Sequence, residues 1–189
     1  MKILSAASEL FPLVKTGGLA DVTGALPAAL AAEGVEVTSI IPGYPAVMAA
    51  LDKAAPFHAY ADLFGGPAQL LRGTAHGLDI IAIDAPHLFD RPGNPYLGKD
   101  GKDWPDNARR FAALGKAAAD VAGGINRRYR ADVMHCHDWQ AALVPVLLVV
   151  HLLRRSGEGI RVLGFDLTDW KRDLARGAVL AGPSIGSGR

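Results

Sequence analysis

The chain has 189 residues, a length that suits one domain or one domain with a tail. Its formal net charge of +1 gives no reason to expect a DNA, RNA or anionic-membrane partner. The single cysteine, Cys136, excludes an internal disulfide and a cysteine-cluster zinc site, and it fits a reducing compartment. The sequence shows no export signal, and its longest apolar stretch, 141–153, is too short for a membrane span. We therefore expect a soluble, cytoplasmic protein.

The first part of the chain alternates between strand and helix patterns. Residues 2–8 predict a buried strand, and a loop that contains glycine, 9–18, follows it. Residues 19–33 carry apolar side chains at helical spacing and predict a helix, for which Gly34 is a stop signal. Residues 35–41 predict a second buried strand. This order is a βαβ unit, in which the two strands run parallel.

The middle of the chain is less regular. Three segments predict strands that are separated by turns with glycine: 57–64, 69–74 and 78–83. A polar loop that is rich in proline and glycine, 84–101, follows them.

The next segments return to the alternating pattern. Residues 106–122 predict a strong helix with one apolar face, and Asp106 is its candidate N-cap. Residues 132–136 predict a short strand, and 138–148 predict the helix after it. Alternating strands and helices indicate an α/β domain with a largely parallel sheet, whose ligand crevice lies beyond the carboxyl ends of the strands.

One segment that follows the first predicted strand, residues 15–21, has features of an anion site. Gly17 and Gly18 let backbone N–H groups approach a ligand closely, and the helix that follows favours negative charge. Lys15 adds a mobile positive charge, so the segment suits a diphosphate leaving group. The alternative interpretation is a tight strand-to-helix turn with an exposed lysine.

A second polar cluster, residues 135–139, follows the last clear strand. Asp138 is placed to accept hydrogen bonds from sugar hydroxyls, and Trp139 either packs beneath a sugar ring or fills the core. His135 and His137 lie on one face of the strand, because alternate residues share a face. They form a structural pair, contact a substrate or bind a metal; no third metal ligand is evident.

The polar loop of residues 84–96 is the third candidate. Its aromatic residue Tyr96 and its polar side chains fit a lid that contacts a sugar. The alternative is a solvated connection that is held by its prolines.

Several segments together resemble one family. In chain order they are 8–12 (SELFP), 15–22 (KTGGLADV), 24–27 (GALP), 83–96 (IDAPHLFDRPGNPY), 106–111 (DNARRF) and 135–141 (HCHDWQA). In this order and register they resemble the N-terminal catalytic domain of bacterial glycogen synthases and plant starch synthases.

The resemblance implies a glycosyltransferase of family 5 with the two-domain GT-B fold, in which each half is Rossmann-like and the active site lies between the halves. It implies transfer of glucose from ADP-glucose to the non-reducing end of an α-1,4-glucan with retention, and no need for a metal or a cofactor. The residues do not distinguish ADP-glucose from UDP-glucose, and they do not indicate an oligomeric state.

The resemblance also assigns roles to residues. It places Lys15, Gly17 and Gly18 at the donor diphosphate. It places Asp138 as the catalytic residue on the sugar side of the cleft. The remaining substrate-binding positions that it implies are Asp21, Tyr96 and His137.

The resemblance ends near residue 148, so we expect a catalytic domain at 1–148 and a divergent tail at 149–189. The tail is either read in a shifted frame or contains a divergent strand at 160–165 and helix at 169–179. In both cases we expect little synthase activity from this chain alone. The alternatives are a glucan-binding module without turnover, an inactive α/β fragment, or another GT-B transferase such as a sucrose synthase, which the 15–21 segment disfavours.

Overall fold

The computed structural model describes residues 1–154, 161–162 and 165–166. The strands of this part of the chain are β1 Lys2–Ala6, β2 Glu36–Pro42, β3 Asp52–Tyr60, β4 Ala68–Ala75, β5 Leu78–Asp84, β6 Val133–Cys136, β7 Arg161–Val162 and β8 Phe165–Asp166. The helices are α1 Gly18–Ala31, α2 Pro45–Ala50, α3 Pro86–Phe89, α4 Asn107–Ala122 and α5 Leu143–Arg154, with a 3₁₀ turn at Trp139–Ala141. None of these helices is both long enough and apolar enough to cross a membrane.

The strands form one sheet in the spatial order β3-β4-β5-β2-β1-β6-β7-β8. From β5 to β7 all neighbours are parallel, and β1 pairs with β2 on one side and β6 on the other. The hairpin of β3 and β4 and the last strand, β8, add antiparallel pairs at the two edges. The predicted α/β domain with a largely parallel sheet is therefore confirmed, as is the βαβ unit of β1, α1 and β2.

The core lies between the sheet and α4. The centres of β2 and β5 are buried, as expected for strands that are covered on both faces. The predicted apolar face of α4 is also buried, through Phe111, Leu114, Ala118, Val121 and Ala122, and the helix contacts β1 and β2. This packing fixes the carboxyl ends of the parallel strands relative to one another, and the segments after β1 and β6 begin at that edge.

The structure corrects the predicted position of β3. The apolar pattern predicted a strand at 57–64, whereas β3 covers Asp52–Tyr60. Antiparallel pairing with β4 sets these limits, with Asp52 opposite Thr74 and Tyr60 opposite Ala68. The chain then turns, and the Gly65 N–H donates to the Asp62 carboxylate at 2.7 Å. The two short helices α2 and α3 were not predicted from the sequence.

Helix α1 forms as predicted, but a different face of it is buried. Its buried residues are Ala20 and Thr23, while Val22, from the apolar row, is 56% exposed. The Thr23 hydroxyl donates to the Glu9 carbonyl oxygen at 2.8 Å. A Cβ at Gly24 would lie 2.6 Å from the Phe11 carbonyl oxygen. The small face of α1 therefore packs closely against the loop before it.

The last helical region also differs from its prediction. A single helix was expected at 138–148, but a 3₁₀ turn comes first and α5 then runs from Leu143 to Arg154, past residue 148. Asp138 has φ of 60°, which no helix contains. The single strand predicted at 160–165 is corrected: its described residues lie in two short strands, β7 and β8, which pair antiparallel with each other. The helix predicted at 169–179 lies outside the described residues.

Candidate functional site

The candidate site lies at the carboxyl ends of β1 and β6, which are neighbours in the sheet. The loop after β1 folds back on itself through a bridge between Leu10 and Val14, and the Phe11–Pro12 peptide bond is cis. Gly17 then precedes the first residue of α1. Two of the sequence-predicted segments are thus brought to one edge of the sheet, as the order of the elements required.

Glu9 organises this loop from within. Its side chain accepts hydrogen bonds from the Thr16 N–H and the Thr16 hydroxyl, each at 2.6 Å, and from the Gly17 N–H at 3.3 Å. The Tyr96 hydroxyl donates to the same carboxylate at 2.6 Å. Glu9 is only 3% exposed. A single buried carboxylate therefore sets the shape of residues 15–18.

The pKa of Glu9 reflects these contacts. Burial acts to raise this pKa, because desolvation disfavours the charged form. The hydrogen bonds from Thr16, Tyr96 and the Gly17 amide outweigh burial, so the pKa lies below its ordinary value of 4.5. Glu9 is consequently charged at neutral pH.

Lys15 and Asp21 form an ion pair on the open side of the loop. The Lys15 Nζ lies 2.6 Å from the Asp21 Oδ1, and both side chains are about half exposed. Both residues are therefore accessible to a ligand that enters from solvent. An anion that binds Lys15 competes with Asp21 for the ammonium group.

The two glycines of the loop have no structural need to be glycine. Neither Gly17 nor Gly18 has a positive φ, and a Cβ at either position would meet nothing within 4 Å. The absence of side chains leaves free space at the start of α1. The Gly17 N–H already donates to Glu9 and is not free for a ligand. A phosphate that binds here would therefore accept from the N–H groups of the first turn of α1.

The polar loop of residues 84–96 is fixed to the start of α4. The Arg91 guanidinium donates to both oxygens of Asp106, one of them at 2.7 Å, and stacks over the Trp104 ring. The structure places Asp106 at the N-cap of α4, as predicted, but its side chain makes no capping hydrogen bond. The reason is that Arg91 occupies its carboxylate, and this pairing holds the pKa of Asp106 below its ordinary value.

Arg110 is the second anchor of this loop and is 1% exposed. Its guanidinium donates to the carbonyl oxygens of Leu88 and Pro95, each at 2.7 Å, and to the Asn107 side chain at 2.8 Å. Burial lowers the pKa of Arg110 from its ordinary value. Residues 90–96 of this loop, called the wall loop below, are thus firmly tied to the start of α4. Contact between the loop and a sugar stays a prediction.

Tyr96 links this wall to the loop after β1. Its hydroxyl donates to Glu9, so the Ser8 hydroxyl, 2.8 Å away, donates to Tyr96. Its ring packs against Phe111 at a centroid distance of 5.8 Å. Burial, together with the charge of Glu9, raises the pKa of Tyr96 well above its ordinary value. Direct contact between Tyr96 and a substrate stays a prediction.

His135 of β6 and His137, directly after the strand, stack on one another, which confirms the prediction that their side chains share a face. Their ring centroids are 3.9 Å apart, and the His137 Nε2 lies 3.0 Å from the Ser5 hydroxyl oxygen. Burial, aided by His135, lowers the pKa of His137 to about 4. Burial raises the pKa of Cys136 to about 12, so neither group is charged at neutral pH. Contact between His137 and a substrate stays a prediction.

Asp138 has the most strained backbone of the site. Its φ of 60° and ψ of −178° lie in a region that is populated almost only by glycine. Its carboxylate accepts a hydrogen bond from the Trp139 N–H at 2.7 Å. Trp139 packs edge-on against Phe111 and is otherwise exposed. A strained, exposed carboxylate whose charge acts on Tyr96 is the feature after β6 that most directly indicates a functional role.

A cleft of about 500 Å³ opens between the two loops. Its walls are residues 13–16, residues 44–46 at the start of α2, and residues 91–95 of the wall loop. In the described ranges no group of three or more His, Cys, Asp and Glu side chains is arranged to hold a metal ion. The cleft can bind an anion near Lys15 and polar hydroxyl groups near Arg91 and Asn94.

Comparison with known proteins identifies the family. The family described as starch synthase catalytic domain matches residues 2–159. The chain belongs to this family. A glycogen synthase of Rhodopseudomonas palustris (strain BisB18) is 59% identical over 145 residues, which are 77% of this chain and 30% of that protein. A glycogen synthase of Acidiphilium cryptum (strain JF-5) is 56% identical over 148 residues, 78% of this chain and 31% of that protein.

A solved starch synthase structure has the same fold. The catalytic domain of Starch Synthase IV from Arabidopsis thaliana, bound to ADP and acarbose, superimposes with a TM-score of 0.58 and is 29% identical. The match covers 76% of this chain and 28% of that chain. The expected GT-B class is thereby confirmed, and this starch synthase domain spans less than a third of each relative described.

Two residues of this starch synthase domain escaped the sequence analysis. Glu9 was assigned only to the loop and to the 8–12 motif, although an acidic residue directly after a buried strand was a usable signal. Arg110 appeared only as part of a motif, and no pattern in the sequence showed that its guanidinium is buried. Their roles depend on partners far along the chain, such as Tyr96 for Glu9.

Proposed function

We propose that this chain supplies one wall of the active site of a glycogen or starch synthase. The reaction is transfer of glucose from ADP-glucose to the non-reducing end of an α-1,4-glucan with retention. The observation that carries the proposal is the pairing of an accessible cationic loop at Lys15 with the strained carboxylate of Asp138, at the ends of two neighbouring strands.

The loop of residues 15–18 forms the donor side. When the bond between the anomeric carbon and the diphosphate breaks, negative charge grows on the leaving group. Lys15 and the first turn of α1 stabilise this charge, and Gly17 and Gly18 leave room for the phosphates to approach. Asp21 releases Lys15 as the diphosphate takes its place.

Asp138 forms the sugar side, with Tyr96 and His137 nearby. Positive charge grows on the glucosyl ring as the bond breaks, and a carboxylate stabilises that charge or binds a ring hydroxyl. The neutral His137, held by Ser5, supports the strand end that carries Asp138. In this proposal ADP-glucose is a substrate, and the reaction needs neither a cofactor nor a metal.

The Arabidopsis structure supports the choice of nucleotide, because that protein was solved with ADP. The cleft beside residues 91–95 is the place for the glucan chain.

Since the nucleotide sugar and the growing glucan are both internal metabolites of a cell, we place the reaction in the cytoplasm. The chain spans 30% of its Rhodopseudomonas relative, so we expect little transfer from this chain alone.

The direct test is titration of ADP into the purified 189-residue chain, with NMR detection of the loop amides. We expect shifts at residues 15–19 and weaker binding by about tenfold in Lys15→Ala, as for loss of one charge-assisted contact. Lys53→Ala, a distant exposed lysine, is the matched control. Shifts that avoid the loop, or equal affinity in Lys15→Ala, would contradict the proposal.

A second candidate function, glucan binding without turnover, is favoured by the cleft itself. Maltoheptaose titration distinguishes it: binding at residues 91–95 without any effect of ADP supports a glucan-binding module. Transfer of labelled glucose from ADP-glucose to glycogen, lost in Lys15→Ala, would instead show that this chain is catalytic by itself.

A further inference from the structure

Every acceptor position of the Glu9 carboxylate is occupied by a donor from the two loops that line the cleft. It accepts from the N–H and hydroxyl of Thr16, the N–H of Gly17 and the hydroxyl of Tyr96. A carboxylate offers about four lone-pair positions, and these four donors fill them. With 3% of the residue exposed, no acceptor position is left for a substrate.

The backbone of Glu9 is anchored as firmly as its side chain. The Glu9 carbonyl oxygen accepts from the Thr23 hydroxyl at 2.8 Å, and the preceding residue, Ser8, bonds Tyr96. Glu9 therefore joins the sheet, α1, the loop of residues 15–18 and the wall loop at one point.

We propose that Glu9 is a positioning residue that holds residues 15–18 in the shape that receives the donor diphosphate and ties them to Tyr96, without touching the substrate. The inference rests on the proposed function only for the identity of the ligand. The hydrogen bonds that Glu9 makes to Thr16, Gly17 and Tyr96 do not depend on the proposed function.

The charge of Glu9 is not what the site requires. A negative charge beneath an anion site opposes binding of the diphosphate. The site requires a side chain of the length of Glu9 whose end accepts hydrogen bonds at this position. A glutamine can replace it, because its carbonyl oxygen accepts from the two amides and its NH₂ donates to the hydroxyl oxygens of Thr16 and Tyr96. An aspartate keeps the charge but is one methylene too short.

The first experiment measures amide hydrogen exchange in the full chain for the wild type, Glu9→Gln, Glu9→Asp and Glu9→Ala. We expect exchange at Thr16 and Gly17 to accelerate by about tenfold or more in the aspartate and alanine variants, and by less than about threefold in the glutamine variant. The amides of Ile40 and Ile41 in β2 report on global stability, and the acceleration at Thr16 and Gly17 should exceed any change at these two amides.

The second experiment tests the coupling to Tyr96. Tyr96→Phe should accelerate exchange at Thr16 in the wild-type background and have no further effect in Glu9→Ala, because the two residues act through one contact. The affinity for ADP should follow the same order, with Glu9→Gln close to the wild type and the other two variants weaker.

Two results would overturn the inference. One is unchanged exchange at Thr16 and Gly17 in Glu9→Ala. The other is the reversed order, in which Glu9→Asp behaves as the wild type and Glu9→Gln as the alanine variant, since that would show that charge matters and length does not. If the wild type does not bind ADP at all, the proposed function fails, while the exchange data still decide the role of Glu9.

Discussion

The two loops that line the cleft are held in different ways. The wall loop of residues 90–96 is tied to α4 by several independent contacts, from Asp106, Asn107 and Arg110. The loop of residues 15–18 depends on one carboxylate, Glu9, and leaves free space around its two glycines. The comparison teaches that the wall is built for rigidity, whereas the Lys15 loop is shaped for a ligand.

The largest effect is expected from breaking the wall at Arg110. Replacement by Met removes three hydrogen bonds and leaves the carbonyl oxygens of Leu88 and Pro95 buried without a donor. We expect a loss of about 3 kcal/mol or more in the free energy of unfolding, measured in urea. Arg109→Met, at the exposed neighbouring position, is the control, and a loss below about 1 kcal/mol for Arg110→Met would contradict this account.

Alanine substitutions at Gly24 and Gly18 test which glycines near the Lys15 loop are needed for packing and which leave space for a ligand. Gly24→Ala should destabilise the chain by about 1–3 kcal/mol, because its Cβ meets the Phe11 carbonyl oxygen at 2.6 Å. Gly18→Ala should change stability by less than about 0.5 kcal/mol but weaken ADP binding, because its Cβ meets only the free space that the phosphates need. Equal effects of both variants on stability, again measured by urea unfolding, would show that the loop glycines are structural.

The strain at Asp138 can be measured by comparing Asp138→Gly with Asp138→Ala. Both lose the carboxylate and its bond to the Trp139 N–H, but only glycine tolerates the φ of 60° with ψ of −178°. We expect the glycine variant to be more stable by about 1–2 kcal/mol in thermal or urea unfolding. If both variants are equally stable, the backbone at this position is not strained. Both should lose any glucosyl transfer that the wild type shows.

The smallest expected effect is a dependence of folding stability on pH that arises from His137. Its pKa falls from an ordinary value of 6.5 in the unfolded chain to about 4 in the fold, so the unfolded chain binds more protons between these values. Stability should therefore fall as the pH drops below 6.5, by on the order of 1 kcal/mol for the first pH unit. His137→Gln should flatten the dependence of urea-unfolding stability on pH, and His76→Gln, at an exposed position, is the control. An unchanged slope in His137→Gln would show that other groups cause it.

The sequence by itself determined the order of β1, α1, β2, β4, β5, α4 and β6, the parallel sheet and the two segments that meet at its edge. These follow from apolar periodicity and chain order, which are local properties. It placed Lys15, Gly17, Gly18 and Asp138 near the crevice for the same reason. The family resemblance then supplied their proposed roles, which the experiments above are designed to test.

Only the tertiary structure decided which groups hold these segments in place. The buried face of α1 was set by close packing of Gly24 on Phe11, although the apolar row on the helix pointed elsewhere. The Asp106 carboxylate, at the N-cap of α4, accepts hydrogen bonds from Arg91 and none from the N–H groups of the helix, and Glu9 contacts Tyr96 from a distant part of the chain. Such contacts join residues that are far apart in sequence, and local sequence patterns carry no information about them. Which hydrogen-bond partner a side chain takes is decided only when the chain has folded.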